Sequence, residues 1–291
     1  MAGGENMFGN GNKAKAWVGV FDYPIPGRKT KPRQEGLTML IDKGLGLAET
    51  RDLLELAGDY IDFLKLSFGS SALYSRELLE EKIALLRSLD LHVYPGGTFL
   101  EVAILQGRLK DFLARARELG FTALEVSDGT IQLDEKRREE AIKSARDSGF
   151  LVLTEVGKKD LRENPDFSTL LDMIAQDLSW GAFKVTLEAR ESGKGVGIFD
   201  REGNIKWGQL EAIASSFSPE DIFWEAPLKN QQEELILRFG PNVNLGNVQV
   251  FDILSVEALR VGLRSDTLKE AHRFRSGEER EFPRPVLVQA R

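Results

Sequence analysis

The sequence contains no cysteine, and histidine occurs only twice, as His92 and His272. Without thiols the chain can form neither disulfides nor thiolate metal sites, and it cannot use a cysteine nucleophile. Two histidines give little material for imidazole bases or for the histidine motifs that bind transition metals. Lysines and carboxylates are therefore the residues left for any chemistry that this chain performs.

Long apolar runs are also lacking. No uninterrupted stretch of about 18 apolar residues occurs, and the first residues lack the apolar core of a signal peptide. We therefore expect a cytoplasmic protein without a membrane partner, a location that the absence of cysteine also favours. The formal net charge of -7 at pH 7 argues against a broad nucleic-acid surface, although local basic patches can still bind small anions.

What the chain does contain is a repeated alternation of short apolar, β-branched segments with longer amphipathic segments, the pattern of βα units. The eight strand-like segments are LTMLID (37–42), YIDFLKLS (60–67), LHVYPG (91–96), ALEVSD (123–128), FLVLTEVG (150–157), AFKVTLEA (182–189), DIFWEAP (221–227) and VNLGNV (243–248). Eight βα units within about 250 residues predict a single-domain (β/α)8 TIM barrel, with a doubly wound open sheet as the second possibility. We expect residues 17–268 to form the barrel, 1–16 a flexible segment and 269–291 a charged extension.

Charged residues recur near the carboxyl ends of these predicted strands, where TIM barrels carry their chemistry. Buried charges are costly unless they are paired or coordinated. A layer of internal salt bridges is one explanation. A Mg²⁺ site is the other, because oxygen ligands without histidine or cysteine suit a hard cation. The predicted metal ligands are Glu101, Glu125, Glu155 and Glu225.

Lysines among these carboxylates indicate a proton donor. A lysine close to a metal ion or to another cation has a lowered pKa, which suits it to proton transfer. Lys158 is the first choice for this role and Lys159 the second. Lys65, inside the second predicted strand, completes the predicted catalytic set.

A glycine-spaced loop, EARESGKGVGIFD (188–200), follows the sixth predicted strand. It matches neither the Walker A pattern, since Lys194 precedes Gly195, nor the Rossmann GxGxxG pattern. Its glycines would let backbone N–H groups and Arg190 approach an anion, although a surface turn is an equal alternative. A second basic cluster, PGRKTKPRQEG, precedes the first strand and suggests anion binding too, although a solvated charge run is the usual explanation.

The succession of segments resembles the phosphosulfolactate synthase family over roughly residues 28–268. The segments that carry the resemblance are KPRQEGLTMLIDKG, DFLKLSFGSSALY, VYPGGTFLE, LEVSDGT, LTEVGKK, LEARESGKGVGIFD, FWEAPLKNQQ and VNLGNV, followed by RVGLRSDT. The resemblance implies a (β/α)8 barrel that adds sulfite to phosphoenolpyruvate in the presence of Mg²⁺, giving (2R)-3-phosphosulfolactate. The implied product belongs to coenzyme M synthesis or to sulfolactate formation. The family also includes plant heat-stress proteins.

The resemblance implies a lysine of TEVGKK as the acid that protonates C2, which favours Lys158 and leaves Lys159 open. Three anionic groups must meet, so a cationic pocket is expected. Its predicted members besides Lys65 are Arg28, Lys31, Arg33, Lys43, Lys184 and Arg190, with Asn247 in the loop expected to hold phosphate. A homo-oligomer is also expected. The alternatives are a non-catalytic barrel that binds an anion or a partner, and an enolate enzyme with a nucleophile other than sulfite.

Overall fold

The computed structural model describes residues 15–158 and 165–276, and all eight predicted strands form. They alternate with helices, which confirms the (β/α)8 barrel. The strands are β1 (Thr38–Asp42), β2 (Phe63–Leu66), β3 (His92–Pro95), β4 (Ala123–Val126), β5 (Leu151–Val156), β6 (Lys184–Leu187), β7 (Ile222–Glu225) and β8 (Leu245–Gln249).

Every strand ladder is parallel, and neighbours follow the order β3-β2-β1-β8-β7-β6-β5-β4. Because β1 pairs with both β2 and β8, the first and last strands are adjacent, as in a barrel and unlike a doubly wound sheet. Thr122 joins the remaining pair, β3 and β4. Its backbone N–H donates to the Val93 carbonyl at 3.1 Å, and its Oγ1 accepts from the Val93 N–H at 3.0 Å. The barrel is therefore nearly closed.

Ten α-helices lie in the described part of the chain. They are α1 (Leu47–Ala57), α2 (Arg76–Arg87), α3 (Gly97–Leu105), α4 (Leu109–Leu119), α5 (Glu135–Asp147), α6 (Phe167–Trp180), α7 (Trp207–Ser216), α8 (Lys229–Phe239), α9 (Ile253–Arg260) and α10 (Ser265–Ser276). Asp134 and Asp166 accept backbone N–H groups at the starts of α5 and α6, which satisfies donors that a helix leaves unpaired. None of these helices is long and apolar enough to cross a membrane. The predicted boundary at residue 269 falls inside α10.

Apolar side chains form two cores. The larger core packs the outer faces of the strands against the helices, and the smaller core fills the lower barrel interior around Phe63, Tyr94 and Phe223. Side chains alternate between the two faces of a strand, so the residue two positions after Phe63, Lys65, also points into the barrel. The interior thus changes from apolar to charged toward the carboxyl ends of the strands.

The amino ends of the strands are closed by buried ion pairs. Arg28 binds Glu257 through Nε at 2.9 Å, and Arg33 binds Asp62 through Nη2 at 2.8 Å. The guanidinium of Arg260, fully buried, donates to the carbonyls of Pro241 and Val243, both at 2.7 Å. These pairs satisfy charges that would otherwise be costly to bury, and they stabilise this end of the barrel.

Candidate active site at the carboxyl ends of the strands

A buried lysine surrounded by glutamates lies inside the barrel, near the carboxyl ends of the strands. The Nζ atom of Lys65 on β2 is 2.9 Å from Glu125 Oε1 on β4 and 3.3 Å from Glu155 Oε2 on β5. Glu225, the last residue of β7, places its Oε1 atom 3.9 Å from the same nitrogen. Parallel strands of one barrel end at the same level, which is why residues distant in sequence meet here.

The electrostatics of this group follow from its burial. Burial opposes the charge on Lys65, but the neighbouring carboxylates outweigh that effect and raise the pKa of the lysine well above its usual value. Burial also raises the pKa of Glu225 to about 8, against the opposing attraction of Lys65. The pKa of Glu125 is raised for the same reason. Lys65 is thus a permanent cation, whereas Glu225 can exchange a proton near neutral pH.

Glu188, directly after β6, adds a further buried carboxyl to the group. Burial, followed by repulsion from Glu155 and a hydrogen bond with it, raises the pKa of Glu188 well above its usual value. Two carboxyl groups in hydrogen-bond contact must share a proton, so this pair carries less than two negative charges. Gly197 has φ +57°, and a Cβ atom there would lie 2.2 Å from the Glu188 carbonyl oxygen. The loop can therefore pass this close only with glycine.

The amino end of α3 packs directly on the group. The N–H of Gly97 donates to Glu125 Oε1 at 2.7 Å, in the first turn of the helix. Glu101, one turn later, accepts from Ser127 Oγ at 2.6 Å and from the N–H groups of Thr130 and Ile131 at 2.9 and 2.8 Å. Glu101 was predicted as a metal ligand. Both of its oxygens are instead committed to the loop between β4 and α5.

Lys158 follows β5 and reaches toward that same loop. Its Nζ atom donates to the Asp128 carbonyl at 2.5 Å, to Asp128 Oδ2 at 2.6 Å and to the Ile131 carbonyl at 3.3 Å. The lysine therefore lies at the carboxyl end of the barrel, as the sequence predicted. Lys159, the second predicted acid, lies outside the described residues.

Three of the predicted anion-binding residues also lie at the carboxyl end. Arg190, two residues after Glu188, is exposed, and its guanidinium has no ion-pair partner within the described ranges. Lys43, after β1, pairs with Glu191 in the loop after β6. Asn247 lies at an irregularity of the ladder between β1 and β8, where its φ is +52°. Its buried Oδ1 atom accepts no hydrogen bond from any described residue.

The other four predicted anion-binding residues lie at the opposite end of the barrel. Arg28 and Arg33 hold the ion pairs described above, and the Lys31 Nζ atom donates to the Leu89 carbonyl before β3. Lys184 opens β6, where the nearby charges are the carboxylates of Glu220, Asp221 and Glu35. Arg28, Lys31 and Arg33 precede β1, and Lys184 is the first residue of β6, so the structure does not bring these four to the carboxyl-end site. The residues before β1 must enter the barrel at its amino end, which the sequence order already implies.

The carboxylates fit a magnesium ion in their chemistry. Within the described residues, Glu125 Oε2 and Glu225 Oε1 are buried and accept no hydrogen bond. No group of three acidic or histidine residues in the same ranges is arranged to hold an ion by itself. Mg²⁺ commonly takes only one or two protein carboxylates and completes its coordination with substrate oxygens and water. Glu125 and Glu225 therefore match such a site better than a complete protein cage.

Three residues of this region were missed by sequence reasoning. Asp128 holds Lys158, Glu188 extends the glutamate group, and Tyr94 on β3 lies beside Lys65 in the ladder between β2 and β3. The phenol oxygen of Tyr94 is buried without a hydrogen-bond partner among the described residues. The signal for Asp128 and Glu188 was present, because each lies within a predicted strand, as Glu125, Glu155 and Glu225 do.

Comparison with known proteins gives a family match over most of the chain. The family described as (2R)-phospho-3-sulfolactate synthase (ComA) matches residues 26–266. A relative named phosphosulfolactate synthase from Methanothermobacter thermautotrophicus is 42% identical over 257 residues, which cover 86% of this chain and 98% of the relative. The protein of the same name from Bacillus subtilis is 39% identical over 250 residues, covering 85% and 98%. The Arabidopsis thaliana protein HEAT-STRESS-ASSOCIATED 32 is 22% identical over 266 residues, covering 80% and 88%.

Solved structures show the same barrel at much lower identity. A 3-hexulose-6-phosphate synthase has a TM-score of 0.50 and 15% identity, covering 82% of this chain and 98% of that one. The YdjI aldolase from Escherichia coli K12 has a TM-score of 0.50 and 12% identity, covering 88% and 94%. Likeness at these identities shows the fold alone. The family match over most of the chain and the relatives near 40% identity establish more: the chain belongs to the phosphosulfolactate synthase family.

Proposed function

We propose that this protein is a phosphosulfolactate synthase, a carbon–sulfur lyase working in the synthetic direction, which adds sulfite to C3 of phosphoenolpyruvate with Mg²⁺ as cofactor. The observation that carries the proposal is Lys65 held among Glu125, Glu155 and Glu225 at the carboxyl ends of the strands, in a chain of this family. The sulfur lone pair forms the C3–S bond, and the π electrons of the substrate move through C2 into its carboxylate. A proton added at C2 completes the product.

The difficult step is the accumulation of negative charge on the substrate carboxylate. Mg²⁺ bound by Glu125 and Glu225 would supply a Lewis acid for that charge, worth several kcal/mol in a site closed to water. Lys65 contributes a fixed positive charge that remains at every working pH, because the surrounding carboxylates raise its pKa. The cation is in place before the reaction, so no reorganisation is needed when the charge develops.

Lys158 is the proposed acid. Its ammonium group lies beside the loop after β4, at the rim of the glutamate group, and it would deliver a proton to C2. Delivery from one fixed side gives a single configuration at C2, which is the R configuration of the named product. A positioned general acid contributes about 10²- to 10⁴-fold to the rate.

Three residues are proposed to receive the anionic groups of the substrates. Arg190 has an exposed guanidinium without an ion-pair partner in the described ranges, and Lys43 reaches the same loop through Glu191. Asn247 lies within β8, next to the loop in which barrels often bind phosphate. Coulomb repulsion between sulfite, phosphate and carboxylate requires cations of this kind, since the protein is acidic overall.

The experiment is ³¹P NMR of phosphoenolpyruvate mixed with sulfite, Mg²⁺ and the protein, with EDTA in a matched sample. A new phosphate-ester signal that requires protein, sulfite and metal supports the proposal. The Lys158→Ala variant should lower turnover by about 100-fold or more while leaving the fold intact. Absence of turnover for the native protein over a range of pH and divalent metals would favour a non-catalytic barrel. Turnover with another nucleophile but not with sulfite would favour a different enolate enzyme.

The assembly and location of the protein stay predictions. We propose a cytoplasmic homo-oligomer that binds neither nucleic acid nor membranes, based on the acidic charge and on the absence of cysteine. Sedimentation of the purified protein would give its oligomeric state directly.

A further inference from the structure

The most complete ion-pair chain outside the glutamate group runs from Lys158 into the helical layer. Asp128, which follows β4 by two residues, binds Lys158 Nζ through Oδ2 at 2.6 Å and Arg138 Nη1 of α5 through Oδ1 at 3.2 Å. Arg138 in turn makes a two-pronged contact with Asp177 of α6, at 2.7 and 2.5 Å. Asp128, Arg138 and Asp177 are all at most 4% exposed. Such a chain is costly to bury unless each charge is matched, and here each is.

Geometry fixes the orientation of Asp128. The two-pronged pairing with Asp177 holds the guanidinium plane of Arg138, and a further donation from Arg138 Nη2 to the Glu155 carbonyl, at 3.1 Å, ties it to β5. Two-pronged guanidinium–carboxylate contacts are strong and directional. The remaining Nη1 of Arg138 can then meet only one oxygen of Asp128, which leaves the other oxygen directed at Lys158.

The backbone of the loop between β4 and α5 supplies two further hydrogen-bond acceptors for the Lys158 ammonium group. The carbonyls of Asp128 and Ile131 both accept from Lys158, and the loop that carries them is held from below by Glu101 through the N–H groups of Thr130 and Ile131. Glu101 therefore acts on the position of Lys158 through the loop.

We propose that Asp128 is the positioning residue of Lys158: it fixes the place of the ammonium group beside the loop after β4, with Arg138 and Asp177 fixing its own orientation. This inference depends on the proposed function at one point, which is that Lys158 acts as the acid. Asp128 itself contacts no reacting atom in this scheme. Its effect reaches the reaction through the lysine.

The test compares Asp128→Asn with Glu257→Gln, which removes the carboxylate of another buried arginine ion pair, at the amino end of the barrel. Asp128→Asn should lower kcat by about 100-fold, the cost of misplacing a catalytic group by about 1 Å, while KM for phosphoenolpyruvate changes little. Asp128→Glu, which keeps the carboxylate, should recover part of the lost kcat. Glu257→Gln should keep the native kcat even where its melting temperature falls. A native kcat in Asp128→Asn would overturn the proposal.

A second readout does not depend on turnover. Acetic anhydride reacts faster with an amine that neighbouring groups do not hold, so the rate of Lys158 acetylation at one fixed pH, followed by peptide mass spectrometry, reports how firmly the amine is held. Lys158 should be acetylated faster in Asp128→Asn than in the native protein, and at the native rate in Glu257→Gln. If the native protein fails to turn over phosphoenolpyruvate and sulfite but this faster acetylation is seen, the proposed function fails and the positioning role stands. A native acetylation rate in Asp128→Asn removes the positioning role. If Asp128→Asn does not fold, Asp128→Glu replaces it, and it should show a lowered kcat with a smaller increase in the acetylation rate.

Discussion

The buried carboxyl group of Glu225 should destabilise the folded protein at neutral pH, and Glu225→Gln should therefore be more stable than the native protein. Burial raises the pKa of Glu225 from 4.5 to about 8. Between those values the folded protein binds a proton that the unfolded chain has released, so stability falls as pH rises through this window. At pH 7 the cost is about 3 kcal/mol, from roughly 2.5 pH units at 1.36 kcal/mol each, and it is complete above pH 8.

Glutamine resembles the protonated acid in shape and remains able to accept the hydrogen bond from the Ala189 N–H, which Glu225 accepts at 2.9 Å. Urea unfolding of both proteins, in EDTA and at pH 4, 6, 7 and 8, measures the difference. The two free energies of unfolding should agree near pH 4 and then separate in favour of the variant as pH rises. A variant less stable than the native protein at pH 8 would refute the reasoning, because attraction to Lys65 would then outweigh burial. Glu211→Gln is the control, since pairing with Arg238 lowers the pKa of Glu211 and reverses the sign.

Three further expectations concern the same barrel. Lys65→Met should abolish turnover in the ³¹P NMR assay and destabilise the protein by about 3 kcal/mol at pH 8, less at pH 5 where Glu225 is protonated; equal losses at both pH values would contradict this. Gly197→Ala should cost about 2 kcal/mol or more in thermal unfolding and lower turnover, because φ is +57° and the new Cβ would meet the Glu188 carbonyl. Lys184→Gln should leave KM for phosphoenolpyruvate unchanged in steady-state kinetics, since Lys184 lies at the amino end of the barrel. A large rise in KM would instead show that Lys184 contributes to substrate binding.

The strand pattern could be predicted from the sequence because it depends on local periodicity. Apolar runs bounded by turn residues gave all eight strands, and the principle that barrels carry chemistry at the carboxyl ends selected Lys65, Glu125, Glu155 and Glu225. The structure brings these four together. Amphipathic periodicity gives no signal for α3, because its segment GTFLEVAIL is apolar on nearly every side.

The partners of each charge could not be predicted, because pairing depends on which strands are adjacent and on which end a loop crosses. Arg28 and Arg33 looked like an anion site, but their carboxylate partners, Glu257 and Asp62, lie 229 and 29 residues further along the chain. Glu101 had the right chemistry for a metal ligand, yet a helix turn directs it to the loop after β4. The position of Arg28 and Arg33 could have been predicted from chain order, because a segment that precedes β1 lies at the amino end of the barrel.

The weakly paired junction between β3 and β4 links heat inactivation to the site itself. Along the strands, the hydrogen bonds of Thr122 hold this junction together. At the carboxyl end, Glu125 crosses the junction to bind Lys65 and the Gly97 N–H. Glu101 crosses it as well and binds the loop after β4. A barrel that parts here keeps every other ladder but separates Lys65 from Glu125. We predict that heating opens the barrel here first; this opening would separate Lys65 from Glu125, so the half-life of the proposed activity at high temperature would measure this junction rather than global unfolding.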